Sequence, residues 1–88
     1  MTNNVFPTSA QLEGAVLQCL LQASSPSSNE DIESFVVKNL QISEELSKVI
    51  KSGNRTELQY RLAWTRTKLK SKGLIEKTGS KAWKAIQK

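Results

Sequence analysis

Residues 60–75 read YRLAWTRTKLKSKGLI, sixteen positions that hold five cations, two aromatics and three aliphatic hydroxyls. Extend the stretch back to Thr56 and place it on a wheel at about 100° per residue. Leu58, Leu62, Thr65 and Leu69 cluster on one side. Tyr60, Trp64, Thr67, Lys68 and Ser71 fall on the other, with Gln59 and Arg61 on the flanks. Arg66 lies near the apolar edge, where a structural ion pair and a ligand contact are both open. Thr56 and Gln59 have the spacing of a capping box, which predicts where the helix starts, and Gly73 is the expected C-terminal stop. This helix gives one face to a core and a second, cationic and aromatic face to something else.

Downstream, residues 74–77 begin apolar, KTGSK has the residues of a turn, and residues 81–86 alternate. Ala82, Lys84 and Ile86 take one face, Trp83 and Ala85 the other. The pattern predicts a β-hairpin with a lysine-bearing tip. Isolated hairpins are marginal in water, so this one must pack on the helices.

Upstream, Thr8 and Gln11 have capping-box spacing. Leu12, Ala15, Val16, Cys19, Leu20 and Ala23 then recur at helical intervals. Cys19 sits within that stripe and reads as a small buried hydrophobe. Gly14 is a flaw in the helix unless another backbone packs there. SSPSSNED reads as a loop that becomes a helix start, with Ser28 and Asp31 at capping spacing and acidic residues where the helix dipole favours them. Ile32, Phe35, Val36 and Leu40 form the next stripe. ISEELSKVIKSG predicts a short third helical piece, capped by Ser43 and ended by Gly53.

The composition narrows the function. The chain has 88 residues, a net charge of +5 and no histidine. With one cysteine and no histidine it can build neither a Cys/His dyad nor a thiolate–imidazole zinc site. Its glycines are scattered singly, so no phosphate-binding loop is present. The expectation is a protein with no catalysis of its own, no cofactor and no small-molecule substrate. No run is apolar enough to span a bilayer, and the N-terminus lacks the features of a secretory signal. A cytoplasmic protein without membrane contact is therefore expected. Charge is unevenly spread: residues 1–54 carry three cations and six anions, residues 55–88 ten cations and two anions. Such a step points the second half at a polyanion.

Helix, helix, short helix, helix, basic hairpin is the order of a winged helix-turn-helix. The expected fold is α+β, mainly α: three to four helices followed by a C-terminal β-hairpin wing. Residues 1–8 form a flexible arm and residues 9–88 the domain. The second face of the last helix is then a recognition face. Its cations neutralise phosphates, and its hydroxyls, amide and aromatics touch sugar or bases. The expected partner is double-stranded DNA, and the candidate contacts are Arg55, Gln59, Tyr60, Arg61, Trp64, Thr67 and Lys68, with Lys77 and Lys81 from the hairpin. Two other readings stay open. A winged helix can bind a protein partner through the recognition-helix face, for which Tyr60 and Trp64 are suited. Single-stranded nucleic acid could stack on Trp64 or Trp83.

Arg61, Trp64, Arg66, Thr67, Leu69, Gly73 and Leu74 also match, in register, a pattern of arginine, Trp-Ala-Arg, threonine, leucine, basic turn and Gly-Leu. Trp83-Lys84 matches its aromatic-basic pair on the hairpin. In these positions the chain resembles the N-terminal winged-helix domain of Mrr-type restriction proteins. The resemblance is tight over residues 61–84 and loose over residues 9–54. It implies a DNA-recognition domain, which longer members join to a nuclease that cuts modified DNA.

Overall fold

A hydroxyl residue starts every helix. The computed structural model describes residues 6–23, 25–53, 55–79 and 82–86. Thr8 caps α1 (Ser9–Gln22): its Oγ1 accepts from the Gln11 amide at 3.2 Å, and the Gln11 side chain accepts from the Thr8 amide at 2.9 Å. Ser28 and Asp31 form the same reciprocal pair at the start of α2 (Asn29–Asn39), as do Thr56 and Gln59 at the start of α4 (Glu57–Ser71). Each box satisfies two backbone N–H groups that would otherwise lack partners. Ser43 caps α3 (Glu44–Ser47), a single turn.

The described residues also form five short strands: β1 (Ser27–Ser28), β2 (Ile50–Ser52), β3 (Arg55–Thr56), β4 (Ile75–Thr78) and β5 (Ala82–Ala85). β4 and β5 are the expected hairpin, with Ile75 opposite Ala85 and Lys77 opposite Trp83. β1 adds to its far side, so the antiparallel sheet runs β1-β5-β4. The whole is a mainly helical α+β fold of the winged-helix kind.

The core is built from the stripes expected, with Phe35 and Leu40 of the second stripe only partly buried against it. Leu12, Ala15, Val16, Cys19 and Leu20 of α1 meet Ile32 and Val36 of α2, Leu58, Leu62 and Leu69 of α4, and Ile42, Ile75 and Trp83. Cys19 is buried. Burial, more than the opposing hydrogen bond with Ser27, pushes its thiol above the ordinary range, which suppresses the reactive thiolate. Thr65 occupies the core face of α4 by returning its hydroxyl to the Arg61 carbonyl at 2.8 Å, so no donor is left bare.

Three expectations change, and one left open is decided. The α1 stripe ends at Leu20, because α1 stops at Gln22 and Ala23 is an exposed cap. The SSPSS loop contains a strand: Ser27 pairs with Trp83 and Ser28 with Ala82. Serines carry no strand signal, and this pairing exists because β5 lies alongside. The third helical piece does not run to Gly53. It stops at Ser47, and β2 and β3 follow as a small hairpin turning at Gly53, whose φ is 54°. One turn of helix is too short to sustain itself into β-branched Val49 and Ile50. Gly14, in turn, has no packing role, since a Cβ built there meets nothing within 4 Å.

Gly73 does end α4. At φ 77° it lets the Gly73 amide reach Lys70 O and the Leu74 amide reach Leu69 O, both at 3.0 Å. This double closure turns the chain sharply into β4. α2 ends in the same way at Gln41, a non-glycine at φ 53°, where the Ile42 amide reaches Val37 O at 3.0 Å. Of the expected N-terminal arm, residues 1–5 lie outside the described residues. Pro7 is buried and Phe6 packs half-buried against the core.

Candidate nucleic-acid interface

α4 divides its surface three ways. Its inner side is core. One flank faces α1, where Glu13 gathers two lysines: Lys72 Nζ donates to it at 2.7 Å and Lys68 Nζ stands 3.6 Å away. The hydrogen bond from Lys72 holds the Glu13 carboxyl below the ordinary glutamate range, despite some desolvation. Arg61 belongs to this flank too. Its Nε donates to Glu57 at 2.8 Å, and its guanidinium lies 4.7 Å from the centroid of the Phe6 ring. Two expected contacts, Arg61 and Lys68, therefore have intramolecular partners and stand at the edge of the candidate face.

The outer side carries Gln59, Tyr60, Ala63, Trp64, Thr67, Lys70 and Ser71. Trp64 is 57 % exposed, the most exposed large aromatic among the described residues. Its ring meets Tyr60 edge-on, with centroids 6.4 Å apart and planes at 71°. Tyr60, Ala63, Trp64 and Thr67 line a shallow hollow of about 200 Å³. A second, of about 250 Å³, opens on the other side of Trp64 beside Ser9 at the start of α1. Thr67 returns its hydroxyl proton to Ala63 O at 3.0 Å and keeps its oxygen free to accept.

The other flank runs past Gln59 to Arg55 on β3, and past Arg66 toward the β4–β5 hairpin. Arg66 is 8 % exposed and makes no ion pair among the described residues, so the structural-pair alternative is not realised there. Its guanidinium stands 5.8 Å from the Trp83 ring centroid, and Lys77 Nζ approaches the same ring at 5.8 Å. The Trp83 indole N–H donates to Asn29 Oδ1 at 2.8 Å. Trp83 is thus a buried strut that seats two cations, and it offers no platform for a single strand to stack on. Lys77 itself is exposed on β4. Lys81 lies outside the described residues.

Lys70 escaped the sequence reading of this face, and Arg66 was read only in part. Lys70 follows Ala63 by two helical turns and Gln59 by three, so the wheel places it on the outer side, where the structure has it exposed. Arg66 was legible as an edge residue, but its lack of a paired carboxylate among the described residues depends on where α2 and β5 lie.

Among the described residues no helix is long and apolar enough to cross a membrane. Comparison with curated proteins and with solved structures finds no significant match. The model of the Mrr N-terminal domain matches residues 10–87, nearly the whole chain, and the tryptophan-arginine helix and aromatic-basic hairpin lie within that span. The chain belongs to the Mrr N-terminal domain family.

Proposed function

We propose that this domain binds double-stranded DNA, with α4 in the major groove and the β4–β5 hairpin against the neighbouring backbone, and that it performs no catalysis of its own. The observation that carries this reading is the split of α4. Leu58, Leu62, Thr65 and Leu69 are buried, while Gln59, Tyr60, Trp64, Thr67 and Lys70 stand outward, in a half of the chain that holds ten cations against two anions. A groove-reading helix needs such a split: cations to neutralise phosphates, and polar and aromatic groups to reach sugars and base edges. Lys77 and Lys81 supply backbone contacts that position the domain without specifying sequence. The family assignment supports a DNA-related role in a restriction system, and the cytoplasm is where such a role is exercised.

Titration of the chain with a short generic duplex tests this. If four to six phosphates are neutralised, log K falls with log salt at a slope of roughly −4 to −5. Saturable binding with flat salt dependence, or no binding at low salt, refutes the reading. The competing reading, a protein partner on the same face, draws on the exposed Trp64–Tyr60 pair and gains if duplex binding is absent.

A further inference from the structure

Arg66 is a buried cation with no ion pair among the described residues. Its Nε is fully buried without a hydrogen-bond partner among the described residues. Buried charges are ordinarily paired, because an unpaired one forfeits its hydration without return. Burial first, and then repulsion from Arg55, disfavour its charged form, while attraction from Glu33 opposes them. The guanidinium lines a cleft of about 160 Å³ between α4 and the first turns of α2. Arg55, Gln59 and Leu62 share its wall, with Asn29, Glu30 and Glu33 opposite. The ring of Trp83, itself tied to Asn29, lies 5.8 Å from the same guanidinium.

We propose that the cleft is a socket for one phosphate group, supplied by the backbone of the bound duplex, with Arg66 and Arg55 as charged donors and the Gln59 amide as the neutral one. This rests on the DNA-binding reading. A guanidinium offers a planar fork of N–H donors that matches phosphate oxygens two at a time. Two arginines lining one cleft repel each other until a multi-oxygen anion comes between them. Gln59 also stands on the outer face of α4, so the cleft is continuous with the surface proposed to enter the groove. Glu30 and Glu33 balance the arginines in the free domain. A lone phosphate is therefore held weakly, and the duplex, anchored elsewhere, holds its phosphate well.

The Nε–H resonances of the three arginines separate the possibilities. They are assigned with Arg→Lys variants and followed during addition of inorganic phosphate and, separately, of a short duplex. The expected result is that both ligands move the Arg66 signal, and that phosphate leaves Arg61, already paired with Glu57, in place. Arg66→Met, which keeps length but cannot donate, weakens the duplex by roughly ten- to a hundredfold and lowers the salt slope by about one. Its melting temperature without DNA holds or rises, because an unpaired buried cation is gone. Glu33→Gln tightens both ligands. Duplex binding with a static Arg66 signal, or undiminished in Arg66→Met, overturns the socket while leaving the DNA reading intact. Should Arg66→Met fail to fold, the wild-type resonance decides alone. A response to inorganic phosphate without any duplex binding keeps the phosphate site and overturns both the duplex source and the proposed function.

Discussion

Trp64→Ala separates an interface role from a structural one. Trp64 is 57 % exposed, and what cover it has comes from its own helix, from Tyr60 and from the start of α1. The covered part is on the order of 100 Å² for a side chain of this size, an upper bound of about 2.5 kcal/mol at 25 cal/mol per Å². Much of that cover persists in any helix, and alanine recovers about 0.5 kcal/mol of helix propensity. The expected net cost is therefore about 1 kcal/mol, a drop of roughly 4–8 °C in melting temperature for a domain of this length. Trp83→Ala supplies the contrast. Trp83 is 9 % exposed and donates to Asn29, so truncation costs about 3–5 kcal/mol, a large share of the roughly 4–13 kcal/mol that holds such a domain together. Thermal and urea melts should thus spare the first variant and cripple the second. A fluorescence-anisotropy titration with duplex should show Trp64→Ala binding at least fivefold more weakly, the loss of about 1 kcal/mol or more that marks an interface residue. Loss of 3 kcal/mol or more of stability in Trp64→Ala, or its full retention of duplex affinity, refutes the reasoning.

Three further outcomes follow from particular contacts. Glu13 has a depressed carboxyl pKa in the fold, so its stabilisation is complete above the ordinary glutamate value near 4.5 and disappears as pH falls through the lower folded value. Glu13→Gln should flatten that acid limb in pH-dependent melts. At neutral pH it frees Lys68 and Lys72 and strengthens duplex binding roughly two- to fivefold, whereas unchanged affinity would mean these lysines stand clear of the DNA. Gly14→Ala, at an exposed mid-helix position with open space for the methyl, should stabilise by about 0.5–1 kcal/mol, and Gln41→Gly, at a φ of 53°, by a similar amount, both read as a rise in urea midpoint. Lys77→Ala with Lys81→Ala should weaken unrelated duplexes equally and reduce the salt slope by roughly two; an unchanged slope would remove the wing from the interface.

The legible part of this protein was what is encoded locally. Capping boxes involve residues three apart, and all three pairs, Thr8 with Gln11, Ser28 with Asp31 and Thr56 with Gln59, formed as their spacing required. A helical stripe likewise specifies its own buried side, so Leu12, Val16, Ile32, Val36, Leu58, Leu62 and Leu69 could be assigned to the core, while the wheel put Trp64 on the opposite side of its helix and only the structure showed it uncovered there. Gly73 announced its turn because the left-handed conformation there strains other residues. What could not be read depends on neighbours distant in the chain. β1 is two serines that become a strand because β5 offers them hydrogen-bonding groups. Gly53 closes a hairpin where helix spacing suggested a stop. Lys68 looked like a free cation until α1 supplied Glu13, and Arg61 gained the Phe6 ring beside its local partner Glu57. Arg66 shows the division most plainly. The sequence by itself put it at the edge of the core. Tertiary packing then buried it on Trp83, whose orientation is set by Asn29 more than fifty residues earlier, and left its guanidinium facing a cleft with no carboxylate bonded to it among the described residues. A periodic pattern can say which way a side chain points along its own helix. Whether a charge finds a partner there depends on elements that meet only when the chain has folded.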